Sequence, residues 1–215
     1  MFHLSMRVTE IFHSIQGEST HAGRACVFVR LTGCNLRCRW CDSEYTFSGG
    51  EKMSLDEVVA RVEGYGTKLV EITGGEPLAQ SEAFELIKRL CEGGYEVLIE
   101  TSGSIDITPV DERAKLIIDV KAPGSGESEK NRWANFDQLR PHDEIKFVLA
   151  DRNDYDWARR IIAERRLDRW TILFSPVWGE LELKPLAEWM LADKVPARLQ
   201  TQLHKHIWGA DVHGV

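Results

Sequence analysis

The stretch Ala25-Cys26-Val27-Phe28-Val29-Arg30-Leu31-Thr32-Gly33-Cys34-Asn35-Leu36-Arg37-Cys38-Arg39-Trp40-Cys41 runs a short apolar, β-branched segment into a loop holding three cysteines. Residues 25–31 read as a strand buried on both faces, since an apolar run of this length suits a covered parallel sheet. Working outward, the same unit recurs. Ser54 with Glu57 three residues on is a capping box, and Leu55, Val58, Val59 and Val62 give the helix it opens one apolar face. Residues 69–73 read as the next strand, ended by Gly74-Gly75. A helical pattern follows over 81–91 (Phe84, Leu86, Ile87, Leu90) and stops at Gly93-Gly94. Strands are predicted at 95–100, 116–120, 145–149, 171–174 and 198–203, and helices at 154–166 and 183–191. This alternation predicts βα units and parallel pairing. Six or seven strands in 215 residues fall short of the ~250 residues of a full eight-unit barrel. The expected fold is therefore α/β, a partial, truncated TIM-like β/α barrel, in a single domain over 1–215. The stretch 123–141, rich in Gly, Ser, Asn and charge, is predicted to be a long irregular loop.

Composition narrows the function classes. The chain has 27 Lys plus Arg against 34 Asp plus Glu, a net charge of −7, which argues against a nucleic-acid partner, because phosphates need cations. The basic pairs Arg159-Arg160 and Arg165-Arg166 fall in a helical pattern and read as a solvated face. No apolar run approaches the ~18 residues of a membrane span, and no leader pattern opens the chain. The expectation is a cytoplasmic protein without a membrane partner. Five cysteines, an odd number in a reducing compartment, favour metal binding over disulfides. Cys26 and Cys91 read as packing residues in a strand and a helix stripe, and Trp133, Trp157, Trp170 and Trp189 as core or interface aromatics.

Cys34, Cys38 and Cys41 are the sharpest chemical feature. Thiolates are soft ligands suited to iron–sulfur clusters or zinc. A structural zinc site is closed by four ligands, whereas a cubane held by three cysteines leaves one iron free to chelate a small molecule. The zinc alternative would need His21, His13 or Asp42 as fourth ligand. His204, His206 and His213 are a second group to weigh. On the strand predicted at 198–203 and just beyond, His-x-His would put both rings on one face, although nothing nearby completes a ligand set, and His206 and His213 read as surface or packing residues.

The three-cysteine loop, with Trp40 before its last cysteine, resembles the signature of the radical S-adenosylmethionine superfamily. Thr73-Gly74-Gly75-Glu76-Pro77 resembles that superfamily's element for the methionyl amino group. Ile15-Gln16-Gly17-Glu18-Ser19, Phe28-Val29-Arg30, Cys41-Asp42-Ser43, Glu100-Thr101-Ser102-Gly103 and the tail from Gln202 to Val215 are similar to the 7-carboxy-7-deazaguanine synthase family. This likeness runs from about Thr9 to the last residue. It implies a radical enzyme converting 6-carboxy-5,6,7,8-tetrahydropterin to 7-carboxy-7-deazaguanine for queuosine, with a 4Fe-4S cluster, S-adenosyl-L-methionine and Mg2+ as cofactors. A homodimer is implied too, with an external donor such as flavodoxin or ferredoxin.

By resemblance, Cys34, Cys38 and Cys41 bind the cluster, and Ser43, helped by Asp42, binds Mg2+. Trp40, Thr73, Gly74, Gly75, Glu76, Ser102 and Lys121 bind S-adenosylmethionine. Ile15, Gln16, Gly17, Glu18, Arg30, Thr73, His204 and Val215 bind the substrate. Arg30, set in an apolar strand, demands an anionic partner. That partner is either a substrate carboxylate, also reached by His204, or an internal acid such as Glu71 or Glu100. Lys121 could equally be a solvated lysine before Pro123. An activating enzyme for a glycyl-radical protein shares the three-cysteine loop and is the nearest rival, though it would have no pterin for Gln16 and Glu18 to hold.

Overall fold

The computed structural model describes residues 4–215. Seven strands carry the parallel sheet: β2 (Ala25–Leu31), β4 (Leu69–Gly74), β5 (Glu96–Thr101), β6 (Lys115–Val120), β7 (Glu144–Leu149), β8 (Thr171–Pro176) and β9 (Arg198–Leu199). Two more extend one edge: β1 (Ser5–Ile15) pairs antiparallel with β2, and β3 (Glu51–Ser54) antiparallel with β1. The order β3-β1-β2-β4-β5-β6-β7-β8-β9 never closes on itself. The result is a partial TIM-like barrel, as the element alternation predicts.

Helices α1 (Leu55–Glu63), α2 (Glu82–Glu92), α3 (Arg152–Arg165) and α4 (Leu183–Asp193) join these strands. At α1 the capping box forms in full: Glu57 N–H donates to Ser54 Oγ at 3.3 Å, and Ser54 N–H donates to Glu57 Oε2 at 2.7 Å. Its buried side chains are Leu55, Val58 and Val62; α2 buries Leu86, Ile87, Leu90 and Cys91 against the same layer. Each such side chain removed from water contributes ~1.5–3 kcal/mol. The convex strand face supplies the other half of this core, with Val29, Ile72, Ile99, Ile118, Phe147 and Phe174.

Two crossovers carry no α-helix. Between β5 and β6 the chain loops, and 123–141 contains three short 3-10 turns, Pro123–Ser125, Ser128–Lys130 and Trp133–Asp137. Asn135 holds these loops together from inside, its Nδ2 donating to the carbonyls of Gly103 and Ile105, both at 2.8 Å. The predicted strand at 198–203 is corrected: only Arg198–Leu199 pairs, and a helix α5 (Leu203–Trp208) begins at once. His204 and His206 therefore lie on a helix two residues apart, on different faces. His206 bonds Thr201 Oγ1 at 2.8 Å and stands edge-on to Trp178, while His213 stacks on Tyr45.

The concave face positions the site. Low on it lies an apolar plate of Cys26, Phe28, Leu69, Leu98, Ile117 and Leu173. Beneath, the β1–β2 turn plugs the strands' N-terminal ends: Thr20 bonds the buried Glu144, and His21 bonds Glu96 at 2.8 Å. Above the plate, toward the strands' C-terminal ends, inward positions become polar. This is the end where barrel sites collect.

Candidate functional site

A cleft of about 590 Å3 opens above the plate, and the cysteine loop, the end of β4, the ends of β5–β8 and the C-terminal tail line it. Cys34, Cys38 and Cys41 all reach it and form no disulfide. Burial raises the Cys34 thiol and pushes Cys38 up to about 11, so the protein alone does not hold these thiols ionised; a bound metal centre would. Among the described residues, no three His, Cys, Asp or Glu side chains are grouped as ligands of one metal ion. Three thiols from one short loop, all lining one cleft, are the ligand type that holds an iron–sulfur cluster. The fourth ligands that zinc would need are otherwise engaged. His21 bonds Glu96, His13 bonds Thr67, and Asp42 accepts from Lys205 at 2.7 Å and Gln202 at 3.1 Å.

The loop is clipped from both sides. Arg39 N–H donates to Ser125 O at 2.9 Å, its guanidinium meets Glu180, and Arg37 N–H donates to Glu127 at 2.7 Å. From β4, Glu76 N–H donates to Gly33 O at 2.9 Å. Gly74 sits at φ +148, where a Cβ would meet Leu31 O at 2.2 Å; a Cβ on Gly75 would meet Gly33 O at 2.4 Å and Cys34 Cβ at 2.6 Å. The glycine pair thus lets β4 press against the cluster loop itself. Gly75→Ala is expected to displace Cys34, cutting iron content on reconstitution several-fold at an overpacking cost of about 1–3 kcal/mol, read by iron assay and thermal melting.

Thr73, Gly74, Gly75, Ser102, Lys121 and Trp40 line the cleft, but Glu76 does not. Glu76 is fully buried, and its carboxylate accepts from Leu78 N–H, Thr101 Oγ1, Ser102 N–H and Ser102 Oγ at 2.6–3.0 Å. It latches β4 to β5 from behind the wall, in place of the expected charge toward a ligand. Lys121 is no solvated lysine: its Nζ donates to Asp119 Oδ2 at 2.8 Å. Burial works against its charge, yet Asp119 and the Cys38 thiol raise its pKa.

On the opposite side the substrate candidates converge. Ile15, Gln16, Glu18, Arg30, His204 and Val215 line the cleft. Gly17 lies behind, where a Cβ would meet His204 Nδ1 at 2.3 Å, so its bareness lets α5 dock. Arg30 pairs with neither Glu71 nor Glu100. Its Nε donates to Glu10 Oε1 at 2.8 Å, a cross-strand neighbour that also accepts from Tyr45 Oη at 2.9 Å. Its two terminal nitrogens make no hydrogen bond with the described residues, and the side chain lines the cleft, leaving two donors of the kind that bind a carboxylate in parallel. Ser43 lines the cleft with its Oγ 3.9 Å from Cys41 Sγ.

A buried charged cluster, of which the sequence marks only Glu71 and Glu100, as internal acids for Arg30, completes the cleft. Glu71, Glu100, Asp119 and Lys146 stand on the concave face of β4, β5, β6 and β7. Lys146 Nζ donates to Glu18 Oε2 at 2.8 Å and also bonds Glu100. Burial opposes its charge, but Glu100, Glu18 and Asp119 raise its pKa well above normal. Glu71, bonded to Gln16, has its pKa pushed well up by burial and then by Glu100 and Glu18. The sequence does carry a signal: β4, β5, β6 and β7 each place a charge inside an apolar run, Glu71, Glu100, Asp119 and Lys146, where a covered sheet would otherwise exclude it.

A family model described as the radical SAM superfamily matches residues 28–169. The 7-carboxy-7-deazaguanine synthases of Koribacter versatilis and Chlorobaculum tepidum are each 47% identical, over 98% of this chain and 100% and 97% of theirs. That of Thermoplasma acidophilum is 38% identical over 98% of this chain and all of its own. Among solved structures, QueE from Escherichia coli superposes with a TM-score of 0.76 at 22% identity, covering 93% of this chain and 95% of that one.

Proposed function

Because the chain belongs to the 7-carboxy-7-deazaguanine synthase family of radical SAM enzymes, we propose that it converts 6-carboxy-5,6,7,8-tetrahydropterin to 7-carboxy-7-deazaguanine with loss of ammonia, on the route to queuosine. The observation that carries this reading is one cleft lined by the three cysteines, the Gly74-Gly75 turn and the free end of the Arg30 guanidinium. When bound, the 4Fe-4S cluster and S-adenosylmethionine supply one-electron cleavage of the sulfonium and hydrogen abstraction from the substrate carbon that bears the carboxylate.

The chain's own residues bind and orient. Cys34, Cys38 and Cys41 hold the cluster. The backbone at Thr73, Gly74 and Gly75 receives the methionyl end, with Trp40 alongside; Ser102 and Lys121 take the ribose and carboxylate. Glu76 shapes this wall through Thr101 and Ser102. Arg30 and His204 grip the substrate carboxylate, and burial lowers the His204 pKa, leaving a neutral ring able to donate from one nitrogen. Ile15, Gln16, Glu18 and the Val215 terminus enclose the ring. Such positioning, with water excluded, is the main contribution a protein makes to cofactor chemistry.

Ser43 would hold Mg2+ by its hydroxyl, the remaining sphere coming from water and the substrate carboxylate. Asp42 serves this site indirectly by fixing Lys205 of α5. The chain works as a single domain, 1–215, in the cytoplasm as a homodimer, and receives electrons from a flavodoxin or ferredoxin; no helix among the described residues is long and apolar enough to cross a membrane. α5 and the tail carry exposed Ile207, Trp208 and Val212, apolar material suited to a dimer face. The test is anaerobic reconstitution with iron and sulfide, then dithionite, S-adenosylmethionine and the pterin. Mass spectrometry should find the deazaguanine and 5′-deoxyadenosine; deoxyadenosine alone would reject the substrate, and neither would reject the radical enzyme.

A further inference from the structure

The cluster around Lys146 is built at a cost that packing alone does not explain. Taking an ammonium out of water costs several kcal/mol unless good partners surround it, and the Lys146 side chain is only 5% exposed. Its partners come from three elements: Glu18 of the β1–β2 turn at 2.8 Å, Glu100 of β5, and Asp119 of β6 at 3.9 Å. Asp119 is shared, its Oδ2 lying closer to Lys121 at 2.8 Å. Lys146 is thus the ammonium that Glu18 and Glu100 have in common.

These carboxylates are not used up by one another. Glu100 gives one oxygen to Lys146, its other oxygen has no partner among the described residues, and its side chain keeps 24% exposure toward the cleft. Asp119 Oδ1 is buried without any partner. Glu18 is held in place by Gln200 at 2.9 Å and Gln202 at 3.0 Å as well as by the lysine. A structural ion pair would close on itself; this one leaves the second Glu100 oxygen open to the cleft. Glu18, whose two oxygens already accept from Lys146, Gln200 and Gln202, is held beside it with lone pairs to spare. A 2-aminopyrimidin-4-one ring presents adjacent N–H donors along one edge, and ionised carboxylates are the strongest partners for them.

We propose that Lys146 is a positioning residue that holds Glu18 and Glu100 as paired acceptors for the N–H edge of the pterin. This rests on the pterin reading of the cleft. The lysine acts through the carboxylates, fixing both their direction and their charge. The other charged or titratable groups near it are Asp42 of the cysteine loop, Glu71 of β4, and Asp119 and Lys121 of β6, while His204 of α5 acts on Glu18. Lys121, the other ammonium nearby, is engaged with Asp119 at 2.8 Å, so it does not replace the missing cation when Lys146 is removed.

The test compares the reconstituted holoenzyme with Lys146→Met, Lys146→Arg and Glu100→Gln, following KM and kcat for the carboxytetrahydropterin from pH 6 to 8.5. The wild-type KM should change least with pH, because Lys146 opposes the rise that burial gives both carboxyls, leaving Glu18 below its ordinary pKa and limiting the rise at Glu100. In Lys146→Met the buried carboxylates lose their cation and bind protons more readily. Its KM should rise about 30-fold or more at low pH, with kcat falling less, and should recover as pH climbs. Lys146→Arg should restore the wild-type profile in large part. Glu100→Gln keeps the ammonium, so it should raise KM with no new pH dependence, and it carries the test if the methionine variant loads no cluster. A wild-type KM in Glu100→Gln, or equal losses in the Met and Arg variants at every pH, would overturn the proposal. Absence of pterin turnover by the wild type would instead overturn the function on which it rests.

Discussion

Cys38→Ala should leave a colourless protein after reconstitution and bring 5′-deoxyadenosine formation to background. The Cys38 thiol makes no hydrogen bond and lies half-buried at the cleft wall, so its loss removes a ligand without opening the core. Loss of an outer-shell partner at a metal site costs roughly 10–100-fold; losing one of only three cluster ligands should exceed that. The control is Cys91→Ala, whose thiol is buried in the apolar face of α2. It should keep its brown colour and turnover and lose only about 1 kcal/mol of stability. Visible absorbance, iron content and a thermal melt on each variant separate the outcomes. A Cys38→Ala protein that still holds a full cluster would remove the three-cysteine premise.

Arg30→Ala should be the next largest effect, with a different signature. The guanidinium is held by Glu10 through Nε and leaves its fork toward the cleft. Truncating one member of a buried, hydrogen-bonded charge pair costs ~2–5 kcal/mol, which is about 30-fold to several-thousand-fold in kcat/KM. Cluster absorbance should be unchanged, since the Arg30 side chain bonds Glu10 of β1 and none of the cysteines. Arg30→Lys should recover little, because one ammonium cannot serve both Glu10 and a bidentate carboxylate. An Arg30→Ala enzyme with wild-type kcat/KM for the pterin would place the substrate carboxylate elsewhere.

Much of the barrel can be read from one sequence because parallel strands buried on both faces are conspicuous. β2, β4, β5 and β7 are short apolar runs, and the Ser54–Glu57 box marks α1 to the residue. β1 is harder to see. Its register shifts between Val8 and Glu10, so Met6 and Val8 alternate in one phase and Ile11 falls in the other, hiding the period of two. Missing β1 hides Glu10 as well, and with it the reason Arg30 is oriented: the two residues are cross-strand neighbours. α5 was misread because Arg198-Leu199 does begin as a strand, and His-x-His looks the same in either conformation.

The site divides along the same line. Residues contributed by contiguous motifs, the cysteine loop and Thr73–Gly75, were found where expected, since spacing alone brings them together. Of the residues brought in singly from separate strands, Arg30, Ser102 and Lys121 are legible, Glu71 and Glu100 only as acids that Arg30 could pair with, and Lys146 and Asp119 not at all. Lys146, Glu100, Asp119 and Glu71 are each an isolated charge in an apolar run, and only the curl of the sheet gathers them. Glu76 shows the reverse limit. Its motif was legible, yet the direction of its side chain depends on Thr101 and Ser102 one strand away.

The central claim is that this cleft holds the carbon bearing the pterin carboxylate against the site where the cofactor's hydrogen-abstracting carbon forms. Substrate deuterated at that carbon tests it most directly, with mass spectrometry of the adenosyl 5′ carbon in both 5′-deoxyadenosine and recovered S-adenosylmethionine. Deuterium at that carbon, appearing only when deazaguanine is made, is the predicted result. Deazaguanine formed with no deuterium at the 5′ carbon would contradict the account.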